Sequence, residues 1–327
     1  MTANKETPPP RGTPGKAYLS SSEIRPLAER SDRMGAWLVL HCWGVIAGGV
    51  TLFTLWPNPL TAVLAVMIIG SRQLGLAILM HEAAHNALFK SRRLNDAIGQ
   101  WACARAILAD LPAYRHYHLT HHRYTQTERD PDLALSRAFP TTRASLKRKF
   151  TRDLTGQTGV KQLFGQIRMA MVLAGDHEAM EAASGDFAQT FKSPRLLPAL
   201  PVFLTPMLLM SLAGEWWWGL AFWLLPYLTW FQFVVRLRNI AEHGAVEQSD
   251  NPFQNVRTTY AGPIARALVA PYWVNYHLEH HMVMHVPCWQ LPQMHRLLLA
   301  KGLGQKMRLA PNYMVALTEA GWNRRSA

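Results

Sequence analysis

Nine histidines fall in four short runs, and their spacing is that of metal ligands. His81 and His85 stand one helical turn apart in HEAAH, residues 81–85. HLTHH, residues 118–122, places His118, His121 and His122 at i, i+3 and i+4, and HLEHH, residues 277–281, repeats the pattern with His277, His280 and His281. NIAEH, residues 239–243, sets Asn239 one turn before His243. Positions three and four apart share a helix face, so the rings of each run are expected to converge. One such pair arises by accident; three matched runs do not. Nine imidazoles exceed the ligand set of one ion. The pattern therefore predicts two metals of the kind that favour imidazole, which are iron, copper or zinc.

Metal-bound imidazoles usually donate their outer N–H to a carboxylate. Glu82, Asp130, Asp132, Glu242 and Glu279 are the acids placed to receive it. Asp130-Pro131-Asp132 also reads as a helix cap and turn. His116 would point off the three-ring face, and His285 lies one turn past His281 with Pro287 close behind. His41 and His177 read as structural or solvated, and His295 as ordinary.

The elements that must position these rings are apolar helices. Gly35–Trp56 carries no Lys, Arg, Asp or Glu, and Leu60–Met80 carries one charge, Arg72. Leu196–Leu212 and Trp216–Val235 complete the set. Each approaches the roughly 20 residues that cross a bilayer. The expected fold is all-α: an integral membrane protein with four transmembrane helices in two hairpins and a cytoplasmic helical cap carrying the histidine runs. The membrane domain is expected over residues 34–310, with a largely disordered tail at 1–33, a polar segment at 141–193 and a C-terminal tail at 311–327. Asn95–Leu111 reads as an interfacial or re-entrant helix. RASLKRKFTRDL, residues 143–154, reads either as a solvated surface helix or as one lying on anionic lipid.

Charge sets the expected orientation. The turns Pro57-Asn58-Pro59 and Ala213-Gly214-Glu215 hold no Lys or Arg. Arg25, Arg30 and Arg33, then Lys90, Arg92 and Arg93, flank the opposite ends of the first pair; Lys192 and Arg195, then Arg236 and Arg238, flank those of the second. The positive-inside rule puts both termini and all the histidine runs in the cytoplasm, with Trp216, Trp217 and Trp218 anchoring the far interface. In a bacterium that membrane would be the inner one. Arg72 and Gln73 are costly at membrane depth. They line a substrate slot or bond within the bundle.

The net charge of +13 fits contact with anionic lipid or an acidic partner, and no nucleic-acid signature accompanies it. Cys42, Cys103 and Cys288 form neither a disulfide framework nor a Cys-x-x-Cys motif. The N-terminus has no apolar core of a secretory signal.

At HEAAH, HLTHH, HLEHH and NIAEH the chain resembles the membrane fatty acid desaturases, the histidine-box di-iron proteins, over roughly residues 35–310. The resemblance implies two irons held by the nine histidines, with Asn239 reaching one through water. It implies O2 as co-substrate and hydrogen removal from an unactivated methylene. A second hydrogen loss gives a double bond, whereas oxygen rebound gives an alcohol. The expected substrate is a fatty acyl chain, lipid-linked, because the three residues between His81 and His85 match many acyl-lipid and bacterial desaturases. Hydroxylases and carotenoid ketolases share the boxes and stand as the alternative. The chain shows no nucleotide-binding loop, iron–sulfur cysteine set or fused haem motif, so electrons are expected from a separate ferredoxin or small haem protein with its reductase. The basic face would attract an acidic donor.

Two rival readings remain. HEAAH fits the zinc protease pattern H-E-x-x-H, with Glu82 as general base, but that leaves seven clustered histidines without a role. A metal carrier would place its ligands within the spans rather than beyond them.

Overall fold

A computed structural model describes residues 14–173 and 196–323. Residues 1–13, 174–195 and 324–327, which include His177, Lys192 and Arg195, lie outside the described residues.

The chain starts with α1 (Ser21–Leu27), opened by a reciprocal cap between Ser20 and Glu23. Next come α2 (Asp32–Leu55), capped by Ser31, and α3 (Pro59–Ala84), capped by Asn58. Asn58 accepts the backbone N–H groups of Leu60 and Thr61, while Pro59 sits where a helix needs no donor. Contacts between α2 and α3 run in opposite senses. Gly35 lies against Leu88 and Phe89, just beyond α3, while Cys42 Sγ is 3.3 Å from the Arg72 carbonyl oxygen and Gly49 lies against Ile68 and Ile69.

The stretch expected as one helix at Asn95–Leu111 is three pieces. These are α4 (Arg92–Ile98), a π turn at Gly99–Ala104 and a 3-10 turn at Arg105–Ile107, ended by Leu108 at φ 58°. Then follow α5 (Leu111–Tyr124), capped by Asp110, α6 (Leu133–Ser136), α7 (Arg143–Leu154) and α8 (Gln157–Leu173). The basic helix α7 is not solvated all round, because its buried Asp153 accepts from Arg236 at 2.9 Å.

After α9 (Leu196–Ala213) the fourth apolar stretch begins later and runs further than 216–235. It starts with a π turn at Leu220–Leu224, continues as α10 (Leu225–Leu228), bends at Thr229 and ends as α11 (Trp230–His243). Pro226 explains the irregular start, since it removes one backbone donor from the helix ladder. Beyond it, β1 (Thr258–Thr259) pairs in parallel with β2 (Leu309–Ala310). Between and after them lie α12 (Pro263–Leu268), α13 (His277–Met282), α14 (Leu291–Ala300) and α15 (Tyr313–Leu317).

Among the described residues, four helical stretches are long and apolar enough to cross a membrane: Asp32–Leu55, Pro59–Ala84, Leu196–Ala213 and Leu220–His243. Their outward faces expose Leu40, Leu208, Leu209 and Leu212. Contiguous exposed apolar surface of this kind suits lipid rather than water.

Both expected tails are shorter than the sequence suggested. Leu19, Ile24 and Leu27 are buried, and Glu23 accepts from Lys301 Nζ at 2.8 Å, so residues 14–31 pack on the body. At the other end Ala316 and Ala320 are buried, and Glu319 accepts from Arg257 and Arg308 at 2.8 Å each. A few apolar anchors spaced among polar residues are enough to hold such segments.

Candidate metal centre

Four helices bring the histidines together. His81 and His85 close the C-terminal end of α3, His118, His121 and His122 lie on α5, His243 ends α11, and His277, His280 and His281 lie on α13. Their ring nitrogens form two groups. His81, His85, His118, His122 and His280 make one, and His121, His243, His277 and His281 the other. Within each group one nitrogen from every residue lies within 4.8 Å of the others.

The division corrects one expectation. The three rings of each i, i+3, i+4 run do not converge on one point. In both runs the i, i+4 pair stays together, His118 with His122 and His277 with His281, while the i+3 ring turns to the other group. Helix geometry gives the reason. With 3.6 residues per turn, i+4 lies about 40° round the axis from i, and i+3 about 60° the other way. Rings about 100° apart can serve two neighbouring points, and each helix does so.

The nitrogens fit metal better than they fit one another. His118 Nε2 and His122 Nε2 are 2.9 Å apart, His122 Nε2 and His280 Nε2 are 3.0 Å, and His243 Nε2 and His277 Nε2 are 2.7 Å. Two ligands at right angles, each about 2.1 Å from one ion, stand about 3 Å apart. His81 Nε2, both nitrogens of His85, His121 Nε2 and His281 Nε2 are buried without a hydrogen-bond partner. Each would cost about 1–3 kcal/mol if nothing bound it. Burial, helped by neighbouring imidazoles, pushes His118, His122, His277, His280 and His281 well below the usual histidine range. They are neutral at pH 7, which is the form that ligates a metal.

The acids divide. Asp130 Oδ1 accepts from His121 Nδ1 at 2.8 Å, and Asp130 also accepts the backbone N–H groups of Gln126 and Asp132. Asp132 Oδ2 stands 3.6 Å from the same ring nitrogen, and the Tyr117 hydroxyl donates to Asp132. Burial alone would lower His121, but the carboxylates of Asp130 and Asp132 outweigh it and raise it to about 9. Glu242 Oε2 lies 3.6 Å from His277 Nδ1 and accepts from Arg238 through its other oxygen at 2.7 Å. Glu82 Oε1 lies 3.4 Å from His81 Nδ1, and Glu82 Oε2 accepts the Cys288 N–H at 2.8 Å. That bond, and the three further imidazoles beside His81 and His85, set the centre apart from a zinc protease site.

Glu279 departs from expectation. It accepts from Thr258 and meets His295 Nδ1 at 2.6 Å, rather than a ring of either group. In a short helix it points off the histidine face, between His277 and His280. His295, read as ordinary, is buried and bridges Glu279 to the Tyr260 hydroxyl. His116 is exposed and His285 half-buried, and neither joins a group. Asn239 lines a cavity of about 180 Å³ with Gln232, Arg236 and Lys149. Gln73 donates to the Trp223 carbonyl at 2.9 Å inside the bundle, whereas Arg72 borders a separate cavity.

Several supports had no sequence signal. Arg115 donates to the Ala83 and Ala84 carbonyls at 2.9 and 3.0 Å, satisfying the end of α3 beside His85. Arg257, fully buried, does the same for the end of α11 through the Ala241 and Gly244 carbonyls. Thr125 Oγ1 stands 3.3 Å from His281 Nδ1, and the Tyr114 ring stacks on His118 with centroids 5.2 Å apart. Arginine is often a surface residue, so only the fold reveals that these two cap helices.

Comparison with known proteins agrees with this geometry. The family model described as fatty acid desaturase matches residues 54–311. The dihydrorhizobitoxine desaturase of Bradyrhizobium elkanii is 30% identical over 280 residues, covering 83% of this chain and 75% of that one. A beta-carotene ketolase of Paracoccus sp. (strain PC1) is 27% identical over 263 residues, 79% of this chain and 86% of that one.

Proposed function

Because the chain belongs to the fatty acid desaturase family and is an oxidoreductase of that kind, we propose that it is an O2-dependent di-iron desaturase acting on an apolar chain drawn from the bilayer. The observation that carries the reading is the division of nine imidazoles into groups of five and four. Two irons bound there would supply the oxygen activation that attack on an unactivated C–H bond requires.

The protein's own residues prepare the site. Asp130 holds the outer nitrogen of His121, which aims Nε2 into the second group. Glu242 and Glu82 stand beside the outer nitrogens of His277 and His81. Burial of the nine rings, less complete at His122 and His281 than at the others, keeps bulk water from the reacting atoms. Asn239 would reach a metal through water. The four apolar helices would cross the inner membrane of a bacterium as two hairpins, with the histidine helices forming a cap on the cytoplasmic side, where a separate ferredoxin or haem protein can deliver electrons.

A fatty acyl chain, lipid-linked, is the first substrate class. Ketolation or hydroxylation of an apolar chain is the second reading, favoured by the match to a beta-carotene ketolase along most of both chains. Lipid analysis of cells expressing the chain with an electron donor separates them, with His118→Ala as control. New double bonds support desaturation, new keto or hydroxyl groups support the second reading, and unchanged lipids count against both.

A further inference from the structure

Arg72 is a buried charge that neither histidine group uses. Arg72 is 5% exposed and lies inside α3. Its guanidinium donates to the Ala267 carbonyl near the end of α12 and stands 5.6 Å from the centre of the Tyr272 ring. Among the described residues no carboxylate forms an ion pair with it. A buried cation lacking a counter-ion is costly, most of all at membrane depth.

Arg72 borders an open cavity of about 480 Å³ lined by α2, α3 and the segment 266–273. Trp37, Val45, Ile68 and Pro271 give it apolar walls. Its polar atoms gather at Arg72, at Arg266 and at Tyr272, whose hydroxyl is 3.1 Å from His41 Nδ1. Trp37 is 61% exposed on the outward face of an apolar helix, so the cavity borders lipid-facing surface. Tyr272 and Trp273 hold φ values of 54° and 57°, in the left-handed region that side chains other than glycine rarely adopt. Such backbone persists where the surroundings enforce it, often at ligand sites.

We propose that this cavity binds the carboxylate of a single-chain apolar acid taken from the bilayer, with Arg72 as its anion anchor. A guanidinium matches a carboxylate in charge and in its paired oxygens. The cavity has the size of a small-molecule site, and its apolar walls suit the chain that follows the head. The inference rests on the proposed oxidation and assigns it an unesterified acid in place of a lipid-linked chain. Arg72 precedes His81 by nine positions, about 14 Å along the helix axis. The acid head would therefore stay clear of the metals.

Equilibrium binding of radiolabelled palmitic acid to the purified, metal-loaded full chain tests this, with methyl palmitate and hexadecyl phosphate as competitors. Palmitic acid should bind saturably and the methyl ester roughly ten- to hundredfold more weakly. Arg72→Gln should abolish that preference, and Arg72→Lys should keep part of it. Val45→Trp fills the cavity from α2 without touching Arg72; it should weaken palmitate binding at least tenfold with metal content unchanged. Equal binding of acid and ester by the unaltered chain overturns the proposal, as does undiminished palmitate binding by the Val45→Trp chain. Tighter binding of hexadecyl phosphate overturns the carboxylate assignment in favour of a phosphate head group. Binding needs no turnover. A chain that binds the acid selectively but oxidises no lipid would count against the oxidation alone, and one that oxidises lipid without acid preference would count against the cavity alone.

Discussion

His122 and His280 stand 158 positions apart in the chain, yet their Nε2 atoms are 3.0 Å from each other. Their neighbours His121 and His281 face the other group. Each of α5 and α13 therefore feeds both groups, and neither group is complete until the two helices have packed. The centre is a product of the tertiary fold, so changes remote from the rings should disturb it.

Gly99 is one such position. A side chain there would begin 2.4 Å from Ala83 Cβ, just before the end of α3 that carries His85. Gly99→Val should displace that end, with an overpacking cost of about 1–3 kcal/mol. Metal analysis of the purified variant should show at least half of the first group's metal lost while the second keeps its own.

Arg257 offers a second test. It is fully buried and holds the Ala241 and Gly244 carbonyls beside His243. Arg257→Met leaves those acceptors without a donor and should cost about 3 kcal/mol. A lower thermal midpoint together with reduced metal retention is the expected result, and an unchanged midpoint would contradict the capping role.

The pH dependence of the metal-free protein follows from His121. Asp130 and Asp132 raise its folded value to about 9 from the ordinary 6.5. The folded state thus binds the proton more tightly than the unfolded chain does. Its stabilisation is fully present below about pH 6.5 and is lost as pH rises through 9. Thermal unfolding of metal-stripped protein should show the midpoint falling across that window, and Asp130→Asn should flatten the fall.

These tests also mark what the sequence could and could not reveal. The nine rings and all four apolar stretches were legible, because spacing and hydropathy are local properties. The limits of the fourth shifted by several residues, since Pro226 and the bend at Thr229 reshape its start. The split of each histidine run was computable from helix geometry, but nothing local says that two centres lie side by side. Arg115, Arg257, Thr125 and Tyr114 act across long separations, and Glu279 was assigned by proximity in sequence to rings it does not face. The ends of the domain were read too short because few apolar residues hold them.

Sidedness can be checked by labelling. All three native cysteines are buried, so they give little background. Arg93→Cys and Glu215→Cys place single exposed thiols on the two expected sides of the membrane. In intact cells an impermeant maleimide should label the Glu215→Cys protein alone. Labelling of Arg93→Cys from outside would reverse the proposed orientation.

The most direct measurement is the metal content of the purified chain and of two double variants. The unaltered protein should hold two irons per chain. His81→Ala with His85→Ala, and separately His277→Ala with His281→Ala, should each leave about one. A single zinc, one metal in the unaltered chain, or loss of neither ion in the variants would contradict a centre built from five and four imidazoles.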